Sequence, residues 1–111
     1  MNLSEVVAAL GCQVLAGNSS LTQNVENVCA CDLMSDVLVV EKDNLLLVTS
    51  LTTEQVVRTA DIVGAHGILI SNGKKPLEKT VQLAHQLNLP LLSTKLNTFE
   101  VCVELGKLLK K

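Results

Sequence analysis

Aromatic side chains are almost missing from this chain: it has no Trp, no Tyr and one Phe, Phe99, in 111 residues. Without ring faces on which bases stack, it offers no platform for single-stranded nucleic acid. Basic charge is scarce as well. Nine Lys and Arg against eleven Asp and Glu leave a formal net charge of -2, the wrong sign for an electrostatic nucleic-acid binder. No apolar run approaches the ~20 residues that cross a bilayer. The start, Met1-Asn2-Leu3-Ser4-Glu5, has neither a basic region nor a signal-like core. The four cysteines, Cys12, Cys29, Cys31 and Cys102, lack the spacing of a secreted disulfide framework and suit a reducing compartment. With 48% apolar residues the chain is not of disordered type. The expectation is one small, soluble, cytoplasmic domain spanning residues 1–111.

Catalytic and phosphate-binding signatures are missing too. There is no Gly-x-x-x-x-Gly-Lys-Ser/Thr loop, no Gly-x-Gly-x-x-Gly fingerprint and no Gly-x-Ser-x-Gly elbow. Nothing pairs a nucleophile with a base, so an enzyme active alone is not expected, and no cofactor is implied.

What is present is an alternation of apolar runs and helical patterns. Leu3, Val6, Val7 and Leu10 recur at helical spacing, with Asn2 or Ser4 as cap and Gly11 as stop. Gln13–Ala16 reads as a strand, Gly17–Ser20 as a loop and Val25–Cys31 as a second strand. In that strand Val25, Asn27, Cys29 and Cys31 share one face. The stretch 32–48 has two local readings: a hairpin of Val37–Val40 with Leu45–Val48, or a short helix begun at an Asp32 cap and followed by a buried strand. From residue 45 the order is β-α-β-α-β-α. Strands fall at Leu45–Val48, Gly67–Ile70 and Leu91–Ser93, and Thr52 with Gln55 and Asn97 with Glu100 form capping-box patterns. Pro76 suits the first turn of the fourth helix, which Leu77, Val81, Leu83, Ala84 and Leu87 line. The last helix carries Val101, Cys102, Leu105, Leu108 and Leu109, with Cys102 expected in the core. Strands apolar throughout imply a mostly parallel sheet covered on both faces, hence an α/β fold.

In such sheets ligands bind beyond the carboxyl ends of the strands. The candidate ligand-binding residues are therefore Thr49, Ser50, Thr52, Ser71, Asn72 and Gly73, with Lys74 and Lys75 nearby. They could hold an anion on backbone N–H groups and a helix start, although capping and turns need the same residue types. Cys29-x-Cys31 places two thiols on one strand face, candidates to share a metal or cluster with Cys12 or Asp32, against the simpler role of filling a strand. His66 precedes a strand, at the end away from the expected crevice, and His85 reads as solvent-facing. Asp32 reads as a helix cap.

Taken together, residues 1–106 resemble the DRTGG domain, especially its small free-standing members from anaerobic bacteria and archaea. The likeness lies in Gly11-Cys12-Gln13-Val14-Leu15-Ala16-Gly17, in Cys31–Leu38, in Ile68-Leu69-Ile70-Ser71-Asn72-Gly73-Lys74-Lys75-Pro76, in Leu89–Thr94 and in Thr98–Val101. It implies a three-layer sandwich like the amino-terminal domain of HPr kinase/phosphorylase, with a helix at residues 32–40. Such domains occur fused to phosphotransacetylase, fused to CBS-containing pyrophosphatases, and encoded near iron-hydrogenase genes. They act as regulatory or dimerising modules without established catalytic residues. The name-giving Asp-Arg pair is replaced here by Leu51-Thr52, and the first glycine of the Thr-Gly-Gly motif by Asn72.

The leading expectation is thus a non-catalytic regulatory or accessory module, homodimeric, binding neither nucleic acid nor membrane, with a protein partner or a small anionic ligand. One alternative is a sensor of a nucleotide or phosphorylated metabolite at the strand-end loops. The other is a cysteine-based metal or redox accessory protein linked to hydrogenase or iron–sulfur metabolism.

Overall fold

The computed structural model describes residues 1–110. Helix α1 (Leu3–Leu10) starts where the Asn2 side chain accepts the Glu5 N–H and stops at Gly11, which takes the left-handed conformation that ends a helix without Cβ strain. Strand β1 (Gln13–Ala16) follows, then a 3₁₀ turn (Asn18–Ser20) and strand β2 (Asn27–Ala30). Helix α2 (Met34–Val37), strand β3 (Leu45–Thr49), helix α3 (Glu54–Ile62), strand β4 (Gly67–Ile70), helix α4 (Glu78–Gln86), strand β5 (Leu91–Ser93) and helix α5 (Thr98–Leu108) complete the chain.

The five strands form one sheet in the order β1-β5-β4-β3-β2. The pairs from β2 to β5 are parallel, while β1 runs antiparallel to β5, with Gln13 opposite Ser93. β3 and β4 are buried along their whole length, which explains their unbroken apolar sequences. Their side chains alternate between two cores. Leu47, Ile68 and Ile70 meet Met34, Val37, Val56, Val57, Ala60 and Ala84 from α2, α3 and α4. Leu46, Val48 and Leu69 meet Leu3, Val6, Leu10, Val101 and Leu105 from α1 and α5. The result is the expected three-layer α/β sandwich with a mostly parallel sheet.

Several local expectations need correction. Residues 37–40 do not pair with β3. β3 instead takes β2 as its parallel neighbour, and the helix before it covers only Met34–Val37 rather than 32–40. Its cap position is Leu33, without a side-chain bond, because Asp32 is engaged elsewhere. Helix α3 is capped at Thr53, again without a side-chain bond, so the Thr52–Gln55 box does not form. Pro76 lies ahead of α4, whose cap position is Leu77, and Leu77 and Leu87 are exposed rather than packed. Val25 lies before β2 and joins the α1/α5 core, whereas Cys29 and Cys31 pack on the opposite one. Cys102 is exposed, because the buried side of α5 is set by Val101 and Leu105. The Asn97–Glu100 box forms in full, each side chain bonded to the other residue's backbone N–H.

Candidate functional site

The polar residues after β3 close on Asp32. Its carboxylate accepts bonds from the Thr49 hydroxyl, the Ser50 backbone N–H and the Ser50 hydroxyl, each at 2.8 Å. The Ser50 N–H, followed by the two hydroxyls, holds the Asp32 carboxyl below its ordinary pKa even though partial desolvation opposes this. The Thr52 carbonyl accepts from the Leu77 N–H at 3.2 Å and from the Thr80 hydroxyl at 2.8 Å. Thr49, Ser50 and Thr52 thus bind the β3 exit to the segment before α2 and to the start of α4.

The residues after β4 are organised differently. Ser71 is fully buried, its hydroxyl 2.8 Å from that of Thr98 at the start of α5. The Asn72 amide donates to both hydroxyls at 3.2 Å. Asn72 and Gly73 both have positive φ, 66° and 63°, which Asn and Gly tolerate best. That bend sends their N–H groups to the carbonyls of Leu96 and Thr94 at 2.7 and 2.9 Å. The β4 and β5 exit loops are therefore stitched together at their base.

Above that base lies a cleft of about 550 Å³. Gly73, Lys74 and Lys75 line it from the β4 exit, Ser93 to Leu96 from the β5 exit, Leu10 and Gly11 from the end of α1, and Gln13 from the start of β1. Its position follows from the topology. α3 and α4 both pack on the same face of the sheet, so the exits of β3 and β4 close together. The exit of β4 leads to α4 on one face and that of β5 to α5 on the other. Adjacent parallel strands with diverging exits leave an open crevice at their carboxyl ends.

Of the six sequence candidates, Gly73 lines this cleft; Thr49, Ser50 and Thr52 sit at the β3 exit, and Ser71 and Asn72 lie at the Thr98 lock. Gln13, Ser93 and Lys95 are lining residues that the sequence reading passed over. The signal for Lys95 was its place just after β5, matching Lys74 and Lys75 after β4. Gln13 could be found only from the pairing of β1 with β5.

The other chemistry-bearing residues lie apart. Among the described residues no three His, Cys, Asp or Glu side chains gather as a metal-holding group. The Cys31 Sγ accepts the Leu33 N–H at 3.4 Å. Burial, then the neighbouring Cys31 and Asp36, pushes the Cys29 thiol up, and burial alone pushes Cys12 up to about 11. Both resist forming the thiolate that ligates metals or attacks. His66 sits at the amino end of β4, its Nδ1 2.6 Å from the Asn24 carbonyl, and His85 is exposed on α4.

This three-layer sandwich is an α/β domain with a crevice where the exits of neighbouring strands diverge. The sequence matches the DRTGG domain family over residues 5–108, and the chain belongs to that family. A solved structure with the same fold is the regulatory region, made of CBS and DRTGG domains, of a Clostridium perfringens pyrophosphatase in complex with its activator diadenosine tetraphosphate. The TM-score is 0.64 at 11% identity, covering 92% of this chain and 44% of the neighbour. This chain therefore corresponds to less than half of that regulatory region. No curated protein matches the sequence. Among the described residues no helix is long and apolar enough to cross a membrane.

Proposed function

We propose that the chain, as one DRTGG domain over residues 1–111, is a non-catalytic regulatory or accessory module that works as a homodimer. The observation that carries this reading is how most of the hydroxyls around the strand exits, Ser93 excepted, are used. Thr49 and Ser50 hold Asp32, Ser71 pairs with Thr98, and Thr80 and Thr94 donate to the backbone carbonyls of Thr52 and Leu10. The Thr49 and Ser50 hydroxyls donate to a carboxylate whose pKa is held low, which makes it a weak base for activating either. The Ser71, Thr80 and Thr94 hydroxyls are spent on joining elements. The shared fold with a pyrophosphatase regulatory region supports the same reading.

The dimer reading draws on apolar groups left in water. Phe99, the one aromatic residue, is 76% exposed on α5, one turn from exposed Val103. With Ala9 and Leu96 they line a shallow groove of about 310 Å³ between α1 and α5, whose lining also includes Glu100 and Glu104. A second copy would cover this face. Analytical ultracentrifugation tests it: wild type is expected to sediment as a dimer and Phe99→Glu as a monomer of unchanged circular dichroism. A wild-type monomer at high micromolar concentration would remove the dimer. Catalysis is tested by incubation with ATP, pyrophosphate and acetyl phosphate, for which no turnover is expected.

A further inference from the structure

We propose that the cleft between the exits of β4 and β5 binds a small ligand carrying two or more phosphate groups. The chain as a whole is acidic, yet Lys74, Lys75 and Lys95, three of its nine basic residues, line this one cleft, and no Asp or Glu does. The two ion pairs found among the described residues, Arg58–Glu54 and Lys107–Glu104, do not involve these lysines. Three lysines with no carboxylate among the cleft lining make its surroundings locally positive, which favours a multivalent anion. Lysine suits this task as a mobile point charge for phosphate oxygens.

The uncharged lining agrees. The Gln13 amide and the Ser93 hydroxyl have no side-chain hydrogen bond within the described residues, in contrast to the hydroxyls at the neighbouring strand ends. The backbone N–H groups of Asn72 and Gly73 are already spent on Leu96 and Thr94. Recognition therefore falls to side chains rather than to a backbone nest. The cleft volume of about 550 Å³ accommodates a small ligand. Its lining contains no aromatic residue, since Phe99 faces the other groove, so no base-stacking surface is offered. The phosphates, not an attached base, would carry the affinity.

Titration calorimetry with inorganic tripolyphosphate, pyrophosphate and orthophosphate at low and high KCl, with citrate as a carboxylate control, tests this. Saturable one-site binding is expected, tightest for tripolyphosphate, weaker for citrate and weakened by salt. Lys95→Ala and the double variant Lys74→Ala/Lys75→Ala should each lose about tenfold or more in affinity. Lys79→Ala, exposed on α4 and outside the cleft, should bind as wild type does. No saturable binding, equal affinity for citrate, or equal loss in Lys79→Ala would overturn the proposal. The ligand's role as an effector rests on the regulatory reading, and orthophosphate release separates the two. Binding with turnover would sink the regulatory reading and leave the cleft assignment standing; absence of binding would do the reverse.

Discussion

At the scale of single residues, two positions matter more than their types suggest. Asp32 accepts three bonds from Thr49 and Ser50 across the mouth of β3. Asp32→Ala is expected to cost about 1–2 kcal/mol, a charged acceptor's contribution reduced by its exposure to solvent. Because folding lowers the Asp32 pKa, its stabilisation is present in full above the ordinary carboxylate range and is lost as pH falls through the lowered value. Denaturant titrations at pH 7 and pH 3 should therefore show wild type and Asp32→Ala converging in acid. Gly17 is the second position. It has φ 73°, and a Cβ there would lie 2.4 Å from the Pro90 backbone nitrogen. Gly17→Ala combines left-handed strain with a clash against backbone, and about 2–5 kcal/mol of destabilisation is expected in urea unfolding. The thiols divide by environment. Cys102 is exposed, while burial keeps Cys12 protonated up to about pH 11. Labelling of the folded protein with a thiol reagent at pH 8 should modify Cys102 first and Cys12 last.

At the scale of elements, α5 is the helix that fixes the base of the cleft. Its capping box fixes Asn97 and Glu100, and the adjacent Thr98 holds Ser71 and Asn72 at the base of the cleft. Asn97→Ala removes the cap and should cost about 1 kcal/mol in thermal or urea unfolding. The same patterns show what local sequence can and cannot say. The Asn97–Glu100 box was legible and forms, whereas the equally good Thr52–Gln55 pattern does not. The difference is tertiary: the Thr52 carbonyl is drawn into bonds with Leu77 and Thr80 on a neighbouring element, and the helix starts one residue later. Pro76 and Leu77 misled for a related reason, because the chain between β4 and α4 first crosses toward Thr52 before it coils.

At the scale of the whole molecule, the sheet separates two cores that share its strands. Leu47 points into the α2–α4 layer and Leu69, on the next strand, into the α1/α5 layer. Either residue replaced by Ala leaves a cavity in a fully buried site and should cost about 2–5 kcal/mol. Both variants are expected to unfold in one transition like wild type, since each strand belongs to both cores. Far-UV circular dichroism is the suitable probe, because the chain lacks Trp and Tyr. Two separate transitions in either variant would show that the layers are not coupled.

The sequence by itself determined the strands from residue 45 onward, the α/β class, the α1 and α5 caps and the family, because unbroken apolar runs, helical spacing and cap residues act over a few positions. It pointed to the carboxyl edge of the sheet as the place for a site. Which strand ends open and which close was decided only by the tertiary structure. That depends on the face each following helix takes: α3 and α4 share one, and α5 takes the other. The antiparallel return of β1 beside β5 then brings Gln13 to lysines far from it in sequence. Strand pairing between distant segments leaves no trace in local pattern, so Lys95 and Gln13 gained their meaning only once the sheet was assembled.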